Sequence, residues 1–139
     1  MVVPDMLINE RYRVIRLLQQ GGMGQVYAAY DQRLQRQVAL KLVRGDVAAD
    51  AATHQRFVRE AQVAAQLTHP NVVRTYDVGD GPYGPYLVQE LLDGRTLSQH
   101  LPLPPQHALR VALAVADALH HLHARGYVHG DIKPANIML

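Results

Sequence analysis

Apolar and polar residues alternate along this chain with two different periods, and the switches between them mark its elements. From Arg11 the residues Tyr12, Val14, Ile15, Leu17 and Leu18 predict a strand that runs into the glycine turn Gly21, Gly22, Met23, Gly24. Val26, Ala28 and Tyr30 alternate with Tyr27 and Ala29, which predicts a second strand. After the polar turn Asp31 to Gln37, a third runs from Val38 to Val43, with Val38, Leu40 and Leu42 on one face and Ala39, Lys41 and Val43 on the other. Beyond the loop Arg44 to Asp50 the period becomes helical over Ala52 to Leu67, where Phe57, Ala61, Ala64 and Leu67 share a face and His69-Pro70-Asn71 stops the helix. Val72 to Val78 and Pro85 to Glu90 read as two further strands around a turn rich in Gly and Pro. Leu91 to Arg95 is a connector, and Thr96 to Leu101 a short helix cut off by prolines. Ala108 to Arg125 is a long helix, apolar almost all round, capped by Gly126.

Three features of this pattern carry chemistry. The glycine turn can bring backbone close to a ligand, because no side chains stand in the way. Lys41 is a lone ammonium among small apolar neighbours, costly to bury unless something negative meets it. Glu60 shares the phase of Phe57, Ala64 and Leu67, so it is expected to face inward and to pair with Lys41. The third feature is Tyr127 to Leu139, YVHGDIKPANIML, in which Gly130 and Pro134 disfavour helix and strand alike. It reads as an ordered loop between apolar anchors that projects Asp131, Lys133 and Asn136 together, the kind of segment on which chemistry tends to sit.

HGDIKPAN resembles the catalytic loop of protein kinases, H-R-D-x-K-x-x-N, in its serine/threonine-type variant; Gly130 stands where the family usually has Arg. Gly21, Gly24 and Val26 resemble the family's glycine-rich loop, with Gln19 at the position of its first glycine. Val38-Ala39-Leu40-Lys41 resembles the strand that carries the ATP-orienting lysine, and Glu60 that lysine's ion-pair partner. The order of these motifs along one chain is more specific than any one of them.

The resemblance implies an α+β fold: a kinase-like small lobe of five antiparallel strands and one helix, followed by a truncated helical large lobe. Its boundaries would be a lead-in over 1–10, the small lobe over 11–90, a hinge over 91–95 and a partial large lobe over 96–139. It implies ATP and magnesium as cofactors. The cofactor-binding positions would be Gln19, Gly21, Gly24, Val26, Ala39, Lys41, Glu60, Gln89 at the gatekeeper position, and Glu90 and Leu92 in the hinge. Asp131 would accept or orient the proton of the substrate hydroxyl, Lys133 would contact the transferred phosphate, and Asn136 would hold the metal ion.

Composition narrows the alternatives. The chain has 139 residues, 48% of them hydrophobic, which suffices for one modest core, and its formal net charge of +2 is too small to argue for nucleic-acid binding. The absence of cysteine removes disulfides, thiol catalysis and thiolate zinc sites. His120, His121 and His123 lie close together without an HExxH pattern, and a structural or solvent-facing role is expected of them. No secretory signal or membrane span is read, so a soluble, cytoplasmic protein is expected.

The function implied is transfer of the ATP γ-phosphoryl group to Ser/Thr hydroxyls of a protein substrate. A homodimer through the small lobe is a further association to consider. The chain stops three residues past Asn136, before the family's Asp-Phe-Gly segment, so this segment is expected to be inactive alone and to expose an apolar patch on the long helix. The alternative is a nonenzymatic nucleotide-binding or protein-interaction module.

Overall fold

The computed structural model describes residues 2–21, 24–43 and 51–139. Gly22 and Met23 of the expected glycine turn, the expected loop Arg44 to Asp50, and Met1 of the lead-in lie outside the described residues. The chain folds as two compact units, 1–66 with 74–91, and 67–73 with 92–139.

The first unit is built on a sheet of six strands: β1 (Leu7–Ile8), β2 (Tyr12–Gly21), β3 (Gly24–Asp31), β4 (Arg36–Val43), β5 (Thr75–Gly81) and β6 (Gly84–Glu90). Their order is β1-β2-β3-β4-β6-β5, and every neighbouring pair is antiparallel. This is one strand more than the five the sequence suggests. The extra strand comes from the lead-in, where Asn9 and Glu10 take positive φ (49° and 53°) and turn the chain back onto β2. Two residues are too few to show a period, yet Ile8 is completely buried, and Val2 is buried with it. The amide of Val14 donates to the carbonyl of Met6 (2.9 Å) and that of Asp5 to the carbonyl of Val14 (2.8 Å). The lead-in is thus part of the folded unit.

The core lies on one face of this sheet. Tyr12 and Val14 of β2, Tyr27 and Ala29 of β3, Val38, Leu40 and Leu42 of β4, and Tyr86 and Val88 of β6 form a single buried cluster with Val2 and Ile8. The alternation expected for β4 is the alternation observed. Burying one such aliphatic side chain is worth roughly 1.5–3 kcal/mol, so a register slip of one residue, which would send this whole set to the other face, is strongly disfavoured. The helix α1 (Ala51–Ala65) packs on β5 and β6 through a face that centres on buried Ala61, with His54, Phe57, Val58 and Ala64 half-buried.

The second unit holds a 3₁₀ turn at Leu97–Gln99, the helix α2 (Pro105–His123) and a 3₁₀ turn at Pro134–Asn136. Proline at the first turn of α2 fits a position whose N–H has no intrahelical acceptor. At the other end Gly126 adopts φ 73°, and the amide of Tyr127 donates to the carbonyl of Leu122 (3.0 Å), which closes the helix. Within α2, Ala118 and Leu122 are buried, whereas Leu109 and Leu113, one turn apart, are each 61% exposed. The segment after the second 3₁₀ turn is pinned by an antiparallel bridge between Thr96 and Met138. Its bonds run from the amide of Leu97 to the carbonyl of Ile137 (2.7 Å) and from the amide of Leu139 to that of Arg95 (2.9 Å). A Cβ on Gly94 would strike the carbonyl oxygen of Leu139, so glycine is what admits this pairing.

Leu67–Val73, which the sequence suggests as the end of a helix and the start of a strand of the small lobe, groups with the second unit. There His69 Nε2 lies 3.1 Å from Asp117 Oδ2 of α2, and the rings of His69 and His121 are 4.9 Å apart. Among the described residues no helix is long and apolar enough to cross a membrane.

Candidate active-site elements

The face of the sheet opposite the core collects most of the nucleotide-site positions named from the sequence. Directly opposed residues in an antiparallel pair point to the same side. Gln19 is opposite Val26, Val26 opposite Lys41, Lys41 opposite Leu87, and Leu87 opposite Val78, which makes one row across five strands. A neighbouring row runs Ala28, Ala39, Gln89, Thr75. One ammonium, Lys41, and two amides, Gln19 and Gln89, therefore stand over a floor of Val26, Ala28, Ala39 and Leu87. That surface is mostly apolar and bears one cation, which suits a heteroaromatic ring attached to phosphates.

The two glycines that flank this row differ in what they do. Gly24 has φ 151°, and a Cβ there would run into the carbonyl of Leu42, so the close approach of β3 to β4 demands glycine at that position. At Gly21 a Cβ would meet nothing within 4 Å. Protein packing does not require the missing side chain of Gly21, which leaves its backbone open to approach.

Glu60 departs from expectation. It is exposed, and among the described residues it forms no ion pair with Lys41. The buried face of α1 runs through His54, Phe57, Val58, Ala61 and Ala64, and Glu60 sits about a quarter turn from the middle of it. An apolar neighbour three residues before and another four after put Glu60 at the border of that face, where a long acid can reach solvent. Lys41 is half-buried and has no ion-pair partner among the described residues.

Glu90, at the end of β6, is tied to the residue before β5: its amide donates to the carbonyl of Arg74 (2.9 Å) and its Oε2 accepts from the amide of Arg74 (3.4 Å). Leu92 is half-buried and falls in the second unit.

In the second unit the loop brings its three polar residues together. Lys133 Nζ is 3.0 Å from Asp131 Oδ1, and Asn136 Nδ2 donates to both Oδ2 and the main-chain carbonyl of Asp131, each at 2.9 Å. The amide of Asp131 donates to Nδ1 of His129 (3.2 Å), and Gly130 between them takes φ 76°. The lysine bond, joined by that from Asn136, holds the Asp131 carboxyl below the usual carboxylate range. Asp131 is therefore ionised at neutral pH and oriented by two donors, while it stays open to solvent. Asn136 gives its amide hydrogens to Asp131, so its Oδ1 is left as a hard neutral oxygen suited to magnesium. That oxygen fits one place in the shell of such an ion.

Sequence reading missed a second polar cluster. Arg11 forks onto Asp31, with Nε to Oδ1 at 3.0 Å and Nη2 to Oδ2 at 2.8 Å, and its Nη1 reaches Asp77 Oδ2 at 2.9 Å. The hydroxyl of Tyr12 donates to the same Asp77 oxygen (2.8 Å), and the amides of Arg33 and Leu34 donate to Asp31. Asp31 is buried, and its hydrogen bonds to Arg11 hold its carboxyl below the usual range. Burial, together with Asp77, pushes the Tyr12 hydroxyl up. The one sequence signal was an aspartate closing a strand before a turn, a common turn residue.

The chain belongs to the protein kinase family: the protein kinase domain pattern matches residues 12–139. Its curated relatives are serine/threonine-protein kinases. It is 43% identical to PknB of Mycobacterium leprae over 95% of this chain, and 46% identical to the probable kinase SCO3848 of Streptomyces coelicolor over the same share. It spans 22% and 21% of those proteins. Among solved structures it is similar to the PknI kinase domain of Mycobacterium tuberculosis, with a TM-score of 0.89 at 33% identity, over all of this chain and 57% of that one. The kinase-like fold and the bacterial serine/threonine kinase family are thereby shown.

Proposed function

We propose that this chain is the ATP-binding and catalytic-loop part of a serine/threonine protein kinase, which transfers the γ-phosphoryl group of Mg-ATP to a Ser or Thr hydroxyl of a protein. The observation that carries this reading is the loop geometry, with an ionised Asp131 held between Lys133 and Asn136 and left accessible. An accessible, oriented carboxylate can take the proton of an incoming hydroxyl. Lys133 supplies a cation for the phosphoryl oxygens, and Lys41 supplies one for the phosphates of a nucleotide whose ring lies on Val26, Ala39 and Leu87, next to Gln89. Gln19, Gly21 and Gly24 would line the phosphate side, and Glu90 and Leu92 the edge of the ring. Asn136 would hold magnesium through its Oδ1, and the ion would neutralise charge on the phosphate oxygens. Work on ATP suits a cytoplasmic protein.

The test is transfer of radiolabelled γ-phosphoryl from ATP to a Ser/Thr-containing protein by the whole kinase of which this chain would be a part. Asp131→Asn is expected to lower the rate by at least about a hundredfold, the range found for positioned acid–base groups. A rate that Asp131→Asn leaves unchanged would overturn the role of the loop.

One observation favours a second, silent reading. Active kinases need the lysine–glutamate ion pair, and Glu60 is turned to solvent here. In that reading the chain binds nucleotide or a protein partner without turnover, and Glu60→Gln would change nothing. In an active kinase the same substitution would reduce transfer.

A further inference from the structure

The sheet has two edge strands, β1 and β5, with four strands between them. In a flat sheet five spacings would separate those edges by roughly 24 Å. They are instead in contact. Asn9, in the turn after β1, donates through Nδ2 to the carbonyl of Asp80 in β5 (2.8 Å) and to the hydroxyl of Tyr86 (2.9 Å). Arg11 reaches Asp77 of β5 at 2.9 Å, and Tyr12 reaches it at 2.8 Å. The rings of Tyr12 and Tyr86 meet edge to face with centroids 5.8 Å apart, although two strands lie between β2 and β6. The sheet is therefore rolled toward its core face, and side chains rather than a backbone ladder join its edges.

Rolling a sheet toward one face spreads the side chains on the other. The outer face is the one that carries Gln19, Val26, Lys41, Leu87 and Val78, and Val78 directly follows Asp77 in the chain. A bulge between Thr75 and Asp77 sets which residue of β5 meets the arginine. Tyr76, at that bulge, lies under the guanidinium of Arg36, 3.6 Å from its ring centroid. The position of the last residue in the Lys41 row is thus coupled to the bond that joins the edges.

We propose that Arg11 is a positioning residue for nucleotide binding: by holding Asp31 and Asp77 at once, it fixes the roll of the sheet and so the spacing of the row that contains Lys41. The proposal rests on the reading of that face as the nucleotide site. Arginine suits the task because its planar fork holds Asp31 with two bonds while a third N–H reaches Asp77. A lysine ammonium in the same place has no such fork.

The experiment measures the dissociation constant of N-methylanthraniloyl-ATP with magnesium by fluorescence anisotropy, on this chain. It compares wild type, Arg11→Gln, Arg11→Lys, Asp77→Asn, the double variant Arg11→Gln/Asp77→Asn and Lys41→Ala. Each is read at a temperature where circular dichroism shows it folded. Val14→Ala is the control, because it weakens the same core without touching the edge contact. The expected result is binding weakened roughly tenfold by Arg11→Gln, as for a misplaced contact worth about 1.4 kcal/mol, and less by Asp77→Asn. Arg11→Lys should fail to rescue, the double variant should be no worse than Arg11→Gln, and Val14→Ala should lower the melting temperature without weakening binding.

Asp77→Asn keeps the shape and the Tyr12 partner, so it carries the test if the Arg11 variants do not fold. An Arg11→Gln or Asp77→Asn protein that is folded and binds as wild type does would overturn the proposal, as would a Val14→Ala control that weakens binding equally. Binding that Lys41→Ala leaves untouched would instead sink the nucleotide-face reading, and the positioning role with it.

Discussion

Asp31 in the sheet and Asp131 in the loop are both aspartates held below the usual carboxylate range by a cation, and they do opposite things because of where they sit. Asp31 is 1% exposed, doubly bonded to a guanidinium and capped by two backbone amides, so both of its oxygens are engaged inside the protein. Asp131 is exposed, holds a flexible ammonium and a side-chain amide, and keeps access to whatever approaches from solvent. A buried carboxylate held by rigid donors is architecture. One that is oriented by exchangeable donors and left open can act on a proton. The comparison warns against reading function from a lowered pKa alone, since the structural carboxylate has the same direction of shift as the chemical one.

The largest effect expected from this contrast is on stability. Asp31→Ala leaves Arg11 without its main partner and two amides without an acceptor, and should destabilise the sheet unit by roughly 3 kcal/mol in chemical denaturation, as for breaking a buried pair. Asp131→Ala should leave the denaturation midpoint close to that of wild type. A loop variant that unfolds as readily as the sheet variant would collapse the distinction.

Acid tests the Asp31 side of the comparison. The folded-state pKa of Asp31 is depressed, so its contribution is fully present above the ordinary carboxylate range and is lost as pH falls through the depressed value. Stability of the wild type should therefore fall in acid, and Asp31→Asn should flatten that fall. Next in size, Tyr12→Phe removes only the hydroxyl bond to Asp77 and should cost about 1 kcal/mol. The smallest effect is local: Lys133→Ala should move the titration of Asp131, followed by NMR, up toward the usual carboxylate range without a change in fold. An unmoved titration would mean that Lys133 does not orient the loop acid.

The residues that were legible from sequence share a property. The faces of β4 and the content of the loop are set by spacing within ten residues, where period and motif are visible: Val38, Leu40 and Leu42 alternate, and Asp131, Lys133 and Asn136 lie within one turn-rich stretch. What escaped depends on pairs far apart in the chain. Arg11 meets Asp77 across 66 residues and His69 meets Asp117 across 48, and no local pattern announces either. Strand β1 was hidden by its length, since two residues have no period. Glu60 was misjudged because apolar neighbours at three and four residues mark a helical face but not its edge. A border position can turn in or out, and here it turns out.

The exposed pair Leu109 and Leu113 on α2 gives the second unit its own contrast with the sheet, whose apolar residues are largely enclosed on the core side. Replacing both with lysine should reduce any self-association seen by sedimentation, while leaving the sheet's unfolding unchanged. Equal association of wild type and variant would show that this helix face is not what drives it.

The most direct measurement is titration of this chain with a fluorescent ATP analogue, with and without magnesium, beside Lys41→Ala. The expected result is saturable binding that Lys41→Ala weakens, because Lys41 is the cation in the row of Val26 and Leu87. Saturable binding that Lys41→Ala leaves intact, or no binding by the wild-type chain, would contradict the assignment of this face to the nucleotide.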